Sequence, residues 1–270
     1  MSVMILYKYN NSKFYNLIYN SVLKNSYEVN YAIDRLNSLG LFPHPDRVKS
    51  WDTYKMVDII SRADRVSFIL DVGCNCSPVM PILKRLGFRN LYGCDLFLKN
   101  IDYTLVEVDY SLNRLITEIY EDQTFNVSVQ DLEKTNFNDN MFDFITSLSV
   151  IEHGVNIQNY FKEMNRILKK DGILLTSTDY WPDKILNGVK TEYNPKHNPD
   201  NIFSMEEIET NVIKTAEQYG FVLTEPIDFT YEDKVVHWDA TGLDYTFIFF
   251  ALKKDRSQSA NVSYAAMPIT

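Results

Sequence analysis

The chain predicts an α/β fold: a doubly wound, mostly parallel seven-stranded sheet with an N-terminal helical addition. Three observations carry this. Short apolar runs alternate with amphipathic helical stretches along most of the 270 residues, the pattern of a sheet covered by helices on both faces. Phe68-Ile-Leu-Asp-Val followed by a small-residue turn and a helix start forms one strand–turn–helix unit. Acidic residues Asp71, Asp95 and Asp131 then each close a strand, so all three fall on the same edge of a parallel sheet.

Composition narrows the function. Apolar residues make up 45% of the chain, enough for a substantial core. A formal charge of −9, with no Lys/Arg run longer than the pairs Lys169-Lys170 and Lys253-Lys254, argues against binding a nucleic-acid backbone. No stretch is apolar for the ~18 residues of a membrane span, and the N-terminus has no secretory pattern. The three cysteines, Cys74, Cys76 and Cys94, are too few for a disulfide framework. Cys74-x-Cys76 lacks a second Cys/His pair, so no metal site is expected. A cytoplasmic location is the resulting expectation.

In chain order, residues 12–39 read as one or two amphipathic helices, with Phe14, Leu17, Ile18, Ser21 and Val22 on one face. Leu41–Asp46 is a loop held by two prolines. A helix begins at Trp51 with Asp52 as its cap, and both residues are placed to close a pocket from the N-terminal side. Residues 1–62 thus form the extension, 63–254 the main domain, and the polar tail 255–270 is expected to be disordered.

Ser77 suits an N-cap and Pro78 a first helical position; Val79, Ile82, Leu83 and Leu86 follow at helical spacing, and Gly87 stops the helix. Asn90–Asp95 is the second strand, one βαβ unit after the first. Leu105–Asp109 reads as a strand or loop and Leu112–Tyr120 as a helix. Phe125–Gln130, Phe142–Val150 and Ile173–Ser177 are further strands, separated from 142–150 by a helix over 156–169 whose dipole Lys169 and Lys170 complement. Residues 179–203 are a long polar, aromatic-bearing connection of the kind that forms lids. Ser204-Met-Glu-Glu207 is a capping box, and strands over 221–230 and 245–252 complete the sheet.

A ligand in such a sheet sits beyond the carboxyl ends of the strands. The Asp95 carboxylate suits a ribose diol, Asp131 an exocyclic amine of adenine, and Gly73 a close backbone approach. The turn Asp71-Val-Gly-Cys-Asn-Cys-Ser is not Gly-x-Gly-x-x-Gly, and its acid would repel a pyrophosphate, which disfavours a nicotinamide oxidoreductase. A cation bearing adenine, ribose and an amino group fits better.

Four segments in order resemble the class I S-adenosylmethionine-dependent methyltransferases, of Rossmann-like fold. Ile69–Ser77 resembles the family's first motif, Leu91–Asp95 its ribose-binding strand end and Val129–Leu132 its adenine-contacting position. Phe142–His153 with Arg166–Leu175 resembles its fourth strand and the helix–turn–strand after it. The turn departs from the family's usual glycines, with Asn75 at one such place. The resemblance implies S-adenosyl-L-methionine as cofactor, held by Asp71, Gly73, Cys74, Asn75, Asp95, Leu96, Asp131, Leu132 and Ser147. It implies transfer of the sulfonium methyl, here to a hydroxyl of a small-molecule or glycan-precursor substrate, with the protein contributing position and dryness.

His153, after the fourth strand, is the candidate to take the acceptor's proton. Asp179, Tyr180, Trp181 and His237 are candidates for the acceptor pocket. A non-catalytic methyltransferase-like scaffold is the competing reading, kept alive by the irregular glycine turn.

Overall fold

In the computed structural model, residues 19–75, 77–96, 125–186, 201–239 and 241–255 are described. The expectations for Phe14, Leu17 and Ile18, for Cys76, for 105–120, for residues 187–200 of the 179–203 connection and for the tail beyond residue 255 lie outside them. The first strand–turn–helix unit is present: β2 (Phe68–Val72) runs into α3 (Val79–Arg85). β2 lies at the centre of the sheet because its residues are apolar on both faces, with Ile69, Leu70 and Val72 fully buried.

Around it, β3 (Asn90–Asp95), β4 (Phe125–Val129), β5 (Phe142–Leu148) and β6 (Leu168–Tyr180) pair in parallel in the order β6-β5-β2-β3-β4. β9 (Leu243–Lys254) runs antiparallel to β6 over eight residue pairs. It also pairs antiparallel with β1 (Ser21–Val22), β7 (Phe221–Leu223) and β8 (Val236–Trp238), which brings the sheet to nine strands. Helices α1 (Ser26–Ser38) and α2 (Ser50–Ser61) cover one face, where Trp51 stands edge-on to Phe249. α4 (Ile157–Ile167) covers the other, burying Tyr160, Phe161 and Met164.

Several local expectations change. Ser21 and Val22 belong to a strand, not a helical face: the fully buried Asn20 side chain donates to the Glu225 carbonyl at 2.7 Å and accepts from the Ala251 amide at 2.7 Å, fixing this segment to the sheet. Those two bonds to distant backbone outweigh the local helical pattern. Lys169 and Lys170 lie in β6 because the helix ends at Ile167, and Lys169 pairs with Asp143 at 2.7 Å. The bend at Asp171 (φ 65°) before Gly172 absorbs the register shift against β5. α2 starts at Ser50, so Asp52 lies inside its first turn rather than capping it.

The strand expected over 221–230 stops at Leu223, whereas the last strand extends to 243–254. The capping box is present, with the Ser204 hydroxyl accepting from the Glu207 amide and the Glu207 carboxylate accepting from the Ser204 amide. It opens α5 (Met205–Glu207), which continues through a π-helical stretch Ile208–Ile213 into α6 (Lys214–Gln218).

Candidate active site

A cavity of about 450 Å³ opens at the carboxyl ends of the parallel strands, the position that doubly wound sheets reserve for ligands. Two halves line it.

The first half is built by β2, β3 and the loop after β4. Gly73 takes φ +66° directly after β2, and a Cβ there would stand 2.4 Å from a Val150 methyl carbon, so only glycine fits. Its amide donates to the Cys94 carbonyl at 2.8 Å, which turns the chain across the end of β3. The Asn75 amide then donates to the Asp95 carboxylate at 3.2 Å, joining the turn to the acidic strand end. Asp95, Leu96 and Leu132 face the cavity together with Gly73, Asn75 and Ser77.

Asp71 does not line the cavity; it is fully buried beneath the turn. Its Oδ1 accepts from the Thr146 hydroxyl at 2.6 Å, while Oδ2 has no hydrogen-bond partner among the described residues. Burial raises its pKa to about 6, against the lowering influence of the Ser77 and Thr146 hydroxyls.

Cys74, Asp131 and Ser147 are also off the cavity wall. The Cys74 thiol packs against Gly93, where an added Cβ would lie 2.9 Å from its sulfur. Asp131 turns back on its own loop, accepting from the Glu133 amide at 2.9 Å. Ser147 is fully buried, and its hydroxyl neighbours that of Tyr160 in α4.

The second half is built by the turn after β5, the ends of β6 and β9, β8 and the loop before α2. The turn brings Ser149, Glu152 and His153 to the wall, with the His153 amide donating to the Val150 carbonyl at 3.1 Å. Asp179, at the end of β6, faces the cavity beside Tyr245 of β9. Burial and then the nearby Glu152 carboxyl push the Asp179 pKa well above the usual carboxylate range. His237 sits at the rim, its Nδ1 2.6 Å from Asp244, and this bond raises its pKa.

Tyr180 and Trp181 do not reach the cavity. Alternation along the strand sends Tyr180 to the opposite face from Asp179, where its ring is fully buried near Phe229. Trp181 packs edge-on to Tyr231, with Lys234 over its ring.

Sequence reasoning passed over His44, Asp46 and Lys49, which it treated as connecting loop and helix start, and over Glu152 and Tyr245. All five line the cavity. His44 Nδ1 accepts from the Asp46 amide at 2.9 Å, so its proton sits on Nε2; burial and Lys49 lower its pKa to about 3. The two prolines flanking His44 were the available signal, since they hold that loop in one shape. Neither Trp51 nor Asp52 lines the cavity: Asp52 is fully buried behind it, accepting from the Ser177 hydroxyl at 2.8 Å.

A family model described as a methyltransferase domain matches residues 70–176. Those residues carry the Gly73 turn, the acidic end of β3 and the turn after β5. They are a class I S-adenosylmethionine-dependent methyltransferase domain.

The chain is 30% identical over 115 residues to the mitochondrial ubiquinone biosynthesis O-methyltransferase of Dictyostelium discoideum, covering 41% of this chain and 34% of that one. It is 33% identical over 110 residues to the ubiquinone biosynthesis O-methyltransferase of Rickettsia bellii, covering 41% of each. The chain therefore spans about two fifths or less of the length of these curated relatives.

Among solved structures, the [4+2]-cyclase SpnF shares the fold with a TM-score of 0.52 at 13% identity, covering 77% of this chain and 82% of that one. So does the 1,6-didemethyltoxoflavin-N1-methyltransferase of Burkholderia thailandensis, solved with S-adenosylhomocysteine, with a TM-score of 0.50 at 13% identity over 86% and 87% of the chains.

S-adenosylmethionine is the cofactor of this domain family, and the residues of the first half fit it. The turn at Gly73 puts backbone without a side chain on the cavity wall. Asp71 holds an unsatisfied carboxylate oxygen beneath that turn, and Leu96 and Leu132 supply apolar surface beside Asp95. Among the described residues, no group of three or more His, Cys, Asp or Glu could hold a metal ion, and no helix is long and apolar enough to cross a membrane.

Proposed function

We propose that the chain is an S-adenosylmethionine-dependent methyltransferase that methylates a hydroxyl of a small, carbohydrate-like or glycan-precursor acceptor. The observation that carries this is the two-sided cavity: the residues assigned to the cofactor on one wall, and groups able to accept a proton on the other.

The bound cofactor supplies an electrophilic methyl group for in-line attack. Asp95 is assigned the ribose hydroxyls, Leu96 and Leu132 the faces of the adenine, and the Gly73–Asn75 turn the close backbone approach. Asp131 is assigned the adenine amine, a role that requires its side chain to leave the Glu133 amide. Asp71 and Cys74 support the turn from beneath. His153 is assigned the proton of the acceptor hydroxyl, and Asp179 and His237 flank the acceptor. O-methylation is also the reaction in the names of the Dictyostelium and Rickettsia relatives.

The likeness to a [4+2]-cyclase shows that this fold also serves proteins named for other chemistry. This keeps the non-catalytic scaffold as the second reading. Calorimetric titration with S-adenosylmethionine separates the two: saturable binding is expected, and folded protein that binds none would sink the enzyme reading. Asp95→Ala is expected to weaken binding about tenfold or more, in line with the ~1.5–3 kcal/mol of hydrogen bonds to a charged group.

A further inference from the structure

The second half of the cavity holds two buried carboxyl groups to which methyl transfer itself gives no chemical role. Glu152 is 1% exposed and Asp179 is 9% exposed, and both line the wall. Glu152 accepts one hydrogen bond, from the Thr178 hydroxyl at 2.9 Å. Tyr245 is the hydrogen-bonding neighbour of Asp179. Among the described residues neither carboxyl is ion-paired, and Lys49 is the single lysine or arginine on the wall, against Asp46, Asp95, Glu152 and Asp179.

Two carboxyl groups buried side by side repel one another, and a fold keeps them at a cost unless something offsets the charge. A separate observation points the same way. Ser149, between β5 and Glu152, lines the same wall, is more than nine-tenths buried, and its hydroxyl has no hydrogen-bond partner among the described residues. A buried hydroxyl left without a partner costs free energy until a partner arrives.

We propose that Glu152, Asp179 and Ser149 form an acceptor subsite for a protonated amine, so that the acceptor is a hydroxyl-bearing amine. This rests on the reading of the cavity as a methyltransferase site and names the substrate class within it. An ammonium group offers three donors and one positive charge to two carboxylates and a hydroxyl oxygen. Held in this way it has no lone pair with which to attack a methyl group. The acceptor's neighbouring hydroxyl therefore remains the nucleophile, giving an amine-bearing substrate that is methylated on oxygen.

The test uses the full chain saturated with S-adenosylhomocysteine and matched probe pairs: tyramine with 4-ethylphenol, and glucosamine with glucose. Each is titrated by calorimetry at neutral pH. At least one amine is expected to bind about tenfold or more tightly than its neutral twin, a difference of ~1.4 kcal/mol. That preference should disappear in the Glu152→Gln/Asp179→Asn double variant. Ser149→Ala, which keeps both charges, should lower amine affinity only a few-fold. Equal affinities within every pair, or a preference that persists in the double variant, would overturn the proposal.

Binding of S-adenosylhomocysteine in each protein serves as the folding control. Its absence from the wild type would overturn the methyltransferase reading and this one with it. Intact binding with no amine preference would overturn this one alone.

Discussion

The two walls of the cavity handle their acids differently. On the β2–β4 wall the acid that faces the cavity is held by backbone: Asp95 accepts from the Asn75 amide. On the β5–β6 wall Glu152 and Asp179 lie close enough for one to raise the pKa of the other. The first arrangement is organised by the backbone before any ligand arrives. The second is electrostatically unfinished, which fits a surface whose occupant brings its own charge. The difference bears on where specificity can reside in such a fold: one wall is set by a strained turn and backbone bonds, the other by side chains whose charges face the cavity.

Substitutions that act on one wall at a time would sharpen this contrast. The largest effect is expected for Gly73→Ala. Its methyl group would meet Val150 at 2.4 Å in a left-handed backbone. Cofactor affinity should fall by two orders of magnitude or more, roughly 3 kcal/mol on the scale of strained turns and overpacked sites. Titration of the purified variant checks it, and near-wild-type affinity would show that the turn can yield.

Next comes the pH dependence of stability behind the acceptor wall. Burial raises the Asp52 pKa to about 7 from an ordinary 3.8, so the folded chain retains a proton that the unfolded chain gives up. Stability from this group is therefore fully present below about pH 4 and is lost as pH rises toward 7. Asp52→Asn should reduce that loss, with a smaller fall in Tm between about pH 4 and pH 7 than in the wild type. Parallel Tm curves for the two proteins would refute the assignment. The smallest effect is expected for Ser204→Ala, which removes one half of the capping box remote from the turn-bound wall. It should cost about 1 kcal/mol in denaturant unfolding and leave cofactor affinity unchanged.

The parallel centre of the sheet was legible because its signals are local: apolar runs of strand length, small-residue turns, and acids at the strand ends. The β2–β4 wall could be read for the same reason, since Gly73, Asn75, Asp95, Leu96 and Leu132 lie within or immediately after motifs. The β5–β6 wall was less readable. His44, Lys49 and Tyr245 come from segments far apart in sequence, and only the antiparallel pairing of β9 with β6 brings Tyr245 beside Asp179. Tyr180 and Trp181 were plausible by neighbourhood, but strand alternation and a packed aromatic pair turn them elsewhere. Ser21 and Val22 were misread because a two-residue strand has no period of its own. Their conformation is imposed by Asn20 and its bonds to residues more than 200 positions away.

β9 joins β1, β6, β7 and β8, and among the described residues it follows all of them in sequence. During synthesis the parallel centre can assemble as it leaves the ribosome, but the segment around Asn20 must wait for residues 243–254 before its edge is covered. Until then the nascent chain displays an unpaired β6 edge, a template for unwanted strand pairing between neighbouring chains. Yield in the cell would accordingly depend on how fast the final stretch is translated, a quantity set by the message and not by the native contacts.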